Sequence, residues 1–452
     1  MDVPILIAAY YFPPTGGAGT QRFAKFCKFL PAHGLRPVVV TRASDEQRGA
    51  AFQEDASLDS GEGGDVRRVP GGGSPVLGRA ARAAGFYLDE ETWVRAAIPE
   101  AFRLCETHRP RAVVTTTPPY AVYHLGRSVS ARFGIPWVLD LRDPWTLDAW
   151  RVFRSPLHLA FDFRHMRRAL READLVVANT REAAAAYAGL GADPARLVTI
   201  PNGFAQEDFG EPLLPEEAVR DEPGPRFRLV HVGTLHSIDG KPGLTRNTFF
   251  RHRARRVDPL GRTGYYLLHA LARLRDADPP SFEALRVDLY GWVHPSHSAL
   301  LRSLDLEEKV VLHGYVGHPR ALRALRTADA IFVPLHGVPP GERALVVPGK
   351  LYEALASGRP VLAALPPGDG ADLVRHVRGG VAVSPTDPAA MAGALSRLVR
   401  DKVSGVPSTP ADRARLAPYD RRALTASLAE RLHGLLGRVP SPPVPIPRAV
   451  PS

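Results

Sequence analysis

Lys350 and Glu353 stand three positions apart in the segment Pro348 to Pro360, which reads PGKLYEALASGRP. On a helix that spacing puts an ammonium and a carboxylate on one face. Pro348 suits the first helical position and Gly358 the left-handed exit, so a helix of about two turns is predicted between a loop and a strand. Its N-terminal amides attract an anion, while a carboxylate accepts hydrogen bonds from hydroxyls. Together these groups suit a phosphorylated, hydroxylated ligand such as a sugar nucleotide. An ordinary i,i+3 ion pair on the surface is the rival reading. A second constellation, Asp140-Leu141-Arg142-Asp143-Pro144-Trp145, follows an apolar run at a strand end, where α/β domains place ligand-binding groups. Its carboxylates could hold a divalent ion, but an Asp–Arg pair shaping the loop fits a lone DxxD better. The pairs His294/His297 and His313/His318 lack a third ligand of suitable spacing, so no metal site is predicted.

These groups need a scaffold, and the chain supplies one in short apolar runs alternating with longer amphipathic segments, the pattern of parallel sheets covered by helices. The first series of strands is 5–9, 37–40, 112–115, 137–140 and 175–178. The second is 227–232, 287–290, 310–312, 330–333 and 360–362. Two α/β domains result, residues 1–207 and 227–417, joined by an acidic, proline- and glycine-containing linker at 208–226. Residues 43–76 read as a polar, glycine-rich excursion, and the proline-rich tail 440–452 as disordered. After the first strand, Tyr10 to Thr20 forms a loop whose Gly16 and Gly17 allow backbone amides close to a phosphate or sugar; a tight turn would use glycine equally. The loop is too long for a dinucleotide fingerprint, and the second strand ends in Thr41-Arg42 rather than an acid, which argues against a nicotinamide enzyme.

With 452 residues and 44% hydrophobic composition, the chain can bury sizeable cores. The net charge of +11 favours an anionic partner, whether nucleic acid, phosphorylated substrate or membrane surface. No nucleic-acid-binding module accompanies that charge, so nucleic acid is not expected. The two cysteines, Cys27 and Cys105, are too few for a disulfide framework and fit a reducing, cytoplasmic compartment. The apolar run Val3 to Phe12 has no preceding cation and stops at Pro13-Pro14, so it reads as a buried strand rather than a signal peptide. Arg22 to Leu30 carries Phe23, Phe26 and Phe29 flanked by Arg22, Lys25 and Lys28, either a core-packed helix or one lying on an anionic membrane. The stretch Arg151 to Arg171 repeats the theme and raises a peripheral position on the inner membrane face.

Taken in order, the loop Phe12 to Gly19, Asp140 to Trp145, Ala173 to Thr180, Ile200-Pro201-Asn202-Gly203, Val232 to Leu235, His313 to Val316, Ala328-Asp329 and Pro348 to Pro360 resemble the retaining, family 4 (group 1) glycosyltransferases of the GT-B fold. The resemblance covers nearly the whole chain. It implies two Rossmann-like α/β domains facing across a cleft, the C-terminal one gripping a nucleotide sugar and the N-terminal one receiving the acceptor. Helices near 418–436 would pack back on the N-terminal domain. It further implies a donor-binding set of Gly16, Gly17, Gly233, Thr234, Gly314, Tyr315, Val316, Glu342, Gly349, Leu351 and Glu353, with Glu353 on the ribose hydroxyls. No cofactor is implied beyond the nucleoside diphosphate sugar itself as substrate.

Three departures from that family stand out. The second glutamate usual eight positions before Glu353 is replaced by Leu345, so Glu342 substitutes or the sugar is held differently. Thr234 stands where arginine is common, and Arg262 matches the usual lysine only across an insertion, with Lys241 as its rival. Arg142 takes the place of a histidine that touches the donor sugar. The insertion, 236–264, carries Arg246, Arg251, Arg253, Arg255, Arg256 and Arg262 and is either a solvated loop or a lid or clamp on an anion. The resulting expectation is a retaining transferase acting on a lipid-linked or surface-glycan acceptor, with Arg142, Arg262 or Lys241, and Lys350 as its electrostatic machinery. A nucleotide-sugar epimerase or hydrolase, and a non-catalytic glycan- or membrane-binding partner, are the alternatives.

Overall fold

The computed structural model describes residues 2–16, 18–43, 65–71, 88–209, 227–249 and 251–438. Gly17, Phe250, the body of the linker at 210–226, the tail 440–452 and all but 65–71 of the polar excursion beyond residue 43 lie outside that set. Two parallel sheets organise the described chain. The first has β1 (Val3–Ala9), β2 (Leu35–Arg42), β3 (Asp65–Val69), β4 (Val113–Thr117), β5 (Trp137–Leu141), β6 (Leu175–Ala178) and β7 (Leu197–Thr199), in the order β3-β2-β1-β4-β5-β6-β7. The second has β8 (Phe227–Val232), β9 (Leu285–Tyr290), β10 (Val310–Gly314), β11 (Ala330–Pro334), β12 (Val361–Ala364) and β13 (Gly380–Val383), in the order β10-β9-β8-β11-β12-β13. This is the two-domain GT-B arrangement. Central strands β4, β5, β6, β11 and β12 are buried at every position, which is why they appear as continuous apolar runs.

Three strands, β3, β7 and β13, were not expected from the sequence, and all three lie at sheet edges. An edge strand needs only one buried face, so Asp-Val-Arg-Arg-Val at β3 alternates where the core strands do not.

Four helices bear on the site. Helix α1 (Ala18–Phe29) buries Phe23 and Phe26 against the sheet. Its cations are tied to the protein: Lys25 and Lys28 pair with Glu207, and Arg22 is 1% exposed, with Nη2 donating to Asp140 Oδ1 at 2.8 Å. The membrane reading of this helix is therefore replaced by core packing. Helix α2 (Pro156–Glu172) is capped by Ser155, whose side chain accepts from the His158 amide, and it leaves Leu157 and Phe161 largely exposed. Helix α3 (Gly349–Ala356) is the short helix carrying Lys350 and Glu353. Helix α4 (Arg421–Arg438) places Leu424, Leu428 and Leu432 at i, i+4, i+8 into the core around Ile5, Phe23 and Phe26 of the N-terminal domain. Each such buried leucine contributes about 1.5–3 kcal/mol, enough to fix the chain's return to its first domain.

Candidate active site

The C-terminal ends of both sheets face one another, and the loops leaving them enclose two adjoining cavities. In the C-terminal domain, a cavity of about 350 Å³ is lined by Val232, Gly233, Thr234, Arg262, Tyr315, Val316, His318, Phe332, Lys350 and Glu353, with Gln21, Asn202 and Arg421 reaching in from the other side. Gly233 leaves β8 at φ +134°, a backbone conformation that favours glycine, and a Cβ there would lie 2.4 Å from Lys350 Nζ and push the ammonium aside.

Behind Gly233, fully buried His231 fixes the lysine. Burial and the neighbouring ammonium hold its imidazole pKa well below the ordinary range, so the ring is neutral. Its Nδ1–H donates to the Phe332 carbonyl at 2.9 Å, which leaves Nε2 to accept from Lys350 Nζ at 3.3 Å. The lysine is pulled off the helix surface rather than paired there. Burial first, and then the Arg262 charge, lower its pKa to about 7, while Glu353 acts in the opposite sense. Glu353 also faces Arg421, which opens helix α4 and donates to Gln21 Oε1 at 3.0 Å.

The second cavity, about 340 Å³, lies between the domains and shares Asn202, Arg262, Pro348 and Gly349 with the first. Gly16, Gly19, Thr20, Arg142, Asp143, Asp148 and Trp150 line its N-terminal wall. Arg142 donates through Nε to Thr117 O at 3.0 Å and through Nη2 to Pro118 O at 2.6 Å. Gly19 leaves room for it, because a Cβ there would sit 1.6 Å from Arg142 Nη1 and displace the guanidinium. Asp148 is raised to about 6 by burial and by the charge of Asp143. Arg22 ties this wall together by donating to the carbonyls of Ile200 and Pro201 as well as to Asp140, which holds the Ile200–Gly203 loop and hence Asn202 at the junction of the cavities.

The predicted residues divide clearly. Arg142, Arg262, Lys350, Gly16, Gly233, Thr234, Tyr315, Val316, Gly349 and Glu353 line the cavities. Lys241 does not: it is exposed on the insertion, whereas the turn Pro259–Arg262 carries Arg262 into the cleft over the Trp150 ring. Glu342 is exposed and paired with Arg255, so it does not take the place of the missing glutamate. Leu351 packs in the core and its amide is used by Pro348 O. Gly314 does not line either cavity, although Tyr315 and Val316 after it do. Gly17 lies outside the described residues.

The described residues of the insertion form a strap tied to the rest of the protein, although 241–243 and 246–249 along it are exposed. His252 and Phe153 exchange two backbone hydrogen bonds of 2.8 Å across the cleft, Arg253 donates to Ala149 O, and Asp258 and Gly337 bond each other's backbone. Asn202, Arg421, Asp148 and Trp150 were missed by sequence reasoning. Asn202 carried a signal, since it sits in the Ile-Pro-Asn-Gly motif, but Arg421 carried none.

Residues 16–203 match the glycosyl transferase 4-like domain, and residues 262–401 match the glycosyl transferases group 1 domain. The chain belongs to the group 1 glycosyltransferases of the GT-B fold. Solved structures of the same fold include HepE of Anabaena in complex with UDP-glucose, 18% identical with a TM-score of 0.62 over 96% of this chain and all (100%) of that one. Sucrose-phosphate synthase from Thermosynechococcus elongatus is 16% identical with a TM-score of 0.65, covering 97% and 100% of the two chains. WaaG, a glycosyltransferase involved in lipopolysaccharide biosynthesis, is 16% identical with a TM-score of 0.58, covering 95% and 100%. No curated protein matches the sequence. Among the described residues no helix is long and apolar enough to cross a membrane.

Proposed function

We propose that this enzyme transfers a sugar from a nucleoside diphosphate sugar to an acceptor hydroxyl with retention of anomeric configuration. The observation that carries this reading is the convergence of Glu353, Lys350, Arg262 and the N-terminus of helix α3 on one cavity. The carboxylate accepts the ribose hydroxyls, and the base lies beside Tyr315 and Val316. The diphosphate meets the two side-chain cations and the helix amides, which together neutralise the charge that grows as it departs. The bond from the anomeric carbon to the β-phosphate oxygen breaks as the acceptor oxygen bonds on the same face. The acceptor proton passes to the leaving phosphate. HepE, whose fold this chain shares, was solved with UDP-glucose, which supports a nucleotide-sugar donor.

Fixed cations perform the neutralisation in this proposal, so no metal or other cofactor takes part. Among the described residues, Glu182, Asp369 and Asp372 form the one acidic group spaced for a metal, but they pair with Arg343 and Arg181 and line neither cavity. Thermal shifts with UDP, GDP, ADP and their sugars identify the donor. Slow hydrolysis of that donor in EDTA should then release a sugar whose first-formed anomer, read by proton NMR, keeps the donor configuration. An inverted anomer, or activity lost in EDTA and restored by manganese, would refute the proposal.

The acceptor in this reading is a lipid-linked or surface-glycan precursor presented at the cytoplasmic face of an anionic membrane. Helix α2 supports it with a stripe of exposed Leu157, Phe161 and Arg164, and Phe249 is exposed on the strap that bonds Phe153 just before this helix. Apolar side chains beside cations suit insertion at a headgroup layer, where each cation adds about 1 kcal/mol. Wild-type protein should sediment with phosphatidylglycerol vesicles, and a Leu157→Glu, Phe161→Glu variant should remain in the supernatant. Equal sedimentation of the two would remove the membrane from the model of action.

A further inference from the structure

The family's usual sugar-binding glutamate is absent at Leu345, and the structure shows where a substitute can come from. Leu345 is 8% exposed, and its carbonyl accepts from Thr180 Oγ1 at 2.8 Å. With Glu342 engaged by Arg255, the loop before helix α3 offers no carboxylate to the cleft. The opposite wall offers two. Asp143 and Asp148 are the carboxylates lining the interdomain cavity, which begins at Asn202, Arg262 and Gly349, where the nucleotide cavity ends. A sugar attached to a diphosphate held by Arg262 and Lys350 would enter this space.

We propose that Asp143 and Asp148 bind hydroxyls of the transferred sugar, doing from the N-terminal domain what a glutamate at position 345 does in relatives. This assignment rests on the donor reading above. Asp148 spends one oxygen on the Trp150 amide at 3.0 Å, which leaves the other oxygen for a ligand. Asp143 lies within electrostatic reach of both Arg142 and Arg262. Trp150 lines the cavity beside Asp148, and its buried Nε1 has no hydrogen-bond partner. Tyr120 and Tyr187 back the two carboxylates without lining the cavity. Both tyrosines interact electrostatically with both aspartates.

Calorimetric titration with matched probes tests this: UDP against UDP-glucose, GDP against GDP-mannose, and ADP against ADP-glucose. For whichever pair the wild type binds, Asp143→Ala and Asp148→Ala should each lower affinity for the nucleotide sugar relative to its nucleoside diphosphate by at least about tenfold, the size of one lost hydrogen bond to a charged group. Affinity for the diphosphate alone should stay level or rise, because a nearby negative charge has gone. A damaged fold would lower both, and the unchanged diphosphate binding excludes it. If both ligands shift equally in both variants, the sugar assignment is wrong while the donor reading stands. If the wild type binds none of the nucleotides, the donor reading falls and takes this assignment with it.

Discussion

Replacing Glu353 by alanine should lower donor use by about two to four decades. A carboxylate hydrogen bond contributes about 1.5–3 kcal/mol, and Glu353 is positioned to accept two from a ribose diol. No other carboxylate lines the cavity, and its neighbours Lys350 and Arg421 are cations that cannot accept. The loss should fall on nucleoside diphosphate affinity as much as on kcat/KM, with Glu353→Gln intermediate. Calorimetry with the nucleoside diphosphate and steady-state kinetics measure both. Unchanged affinity and turnover in Glu353→Ala would disprove its placement on the ribose.

The second large effect belongs to Lys350. Removing a donor aimed at developing transition-state charge costs about 10²–10³ in kcat, and Lys350→Met should show a loss of that size. The lysine also gives a distinctive pH dependence. In the free enzyme its pKa is lowered to about 7 by burial and by Arg262. A bound diphosphate favours the charged form and raises that value. Below pH 7 the lysine is already protonated and affinity is flat. Above pH 7 binding must take up a proton, so affinity should fall by up to tenfold per pH unit until the pKa of the complex is passed. Titrations from pH 6 to 9 in buffers of different ionisation enthalpy count that proton. In Lys350→Met the slope should vanish, and a slope that persists would assign the proton elsewhere.

The parts legible in the sequence were those whose signal is local. Central strands are buried on both faces and stand out as unbroken apolar runs, and helix α3 shows its caps and its i,i+3 pair within eleven residues, Pro348 to Gly358. Features that depend on partners far along the chain were not legible. The phenylalanines and cations of α1 have the same period whether they face lipid or core, and the decision lies in Glu207, Asp140 and the leucines of α4. Arg262 and Lys241 could not be ranked until the turn at 259–262 showed which one enters the cleft. Glu342 seemed available until Arg255, part of an insertion with no counterpart in the family pattern, took it.

Helix α4 also bears on how the protein is made. The core around Ile5, Phe23 and Phe26 is closed by Leu424, Leu428 and Leu432, so the N-terminal domain lacks one wall until helix α4 is synthesised. At ordinary elongation rates of about 5–20 residues per second, the interval lasts on the order of tens of seconds. During that time an apolar face on α1 and β1 is open, and the nucleotide cavity lacks Arg421. Nascent chains stalled before residue 421 should therefore hold chaperones and bind no nucleotide, however complete the C-terminal sheet already is.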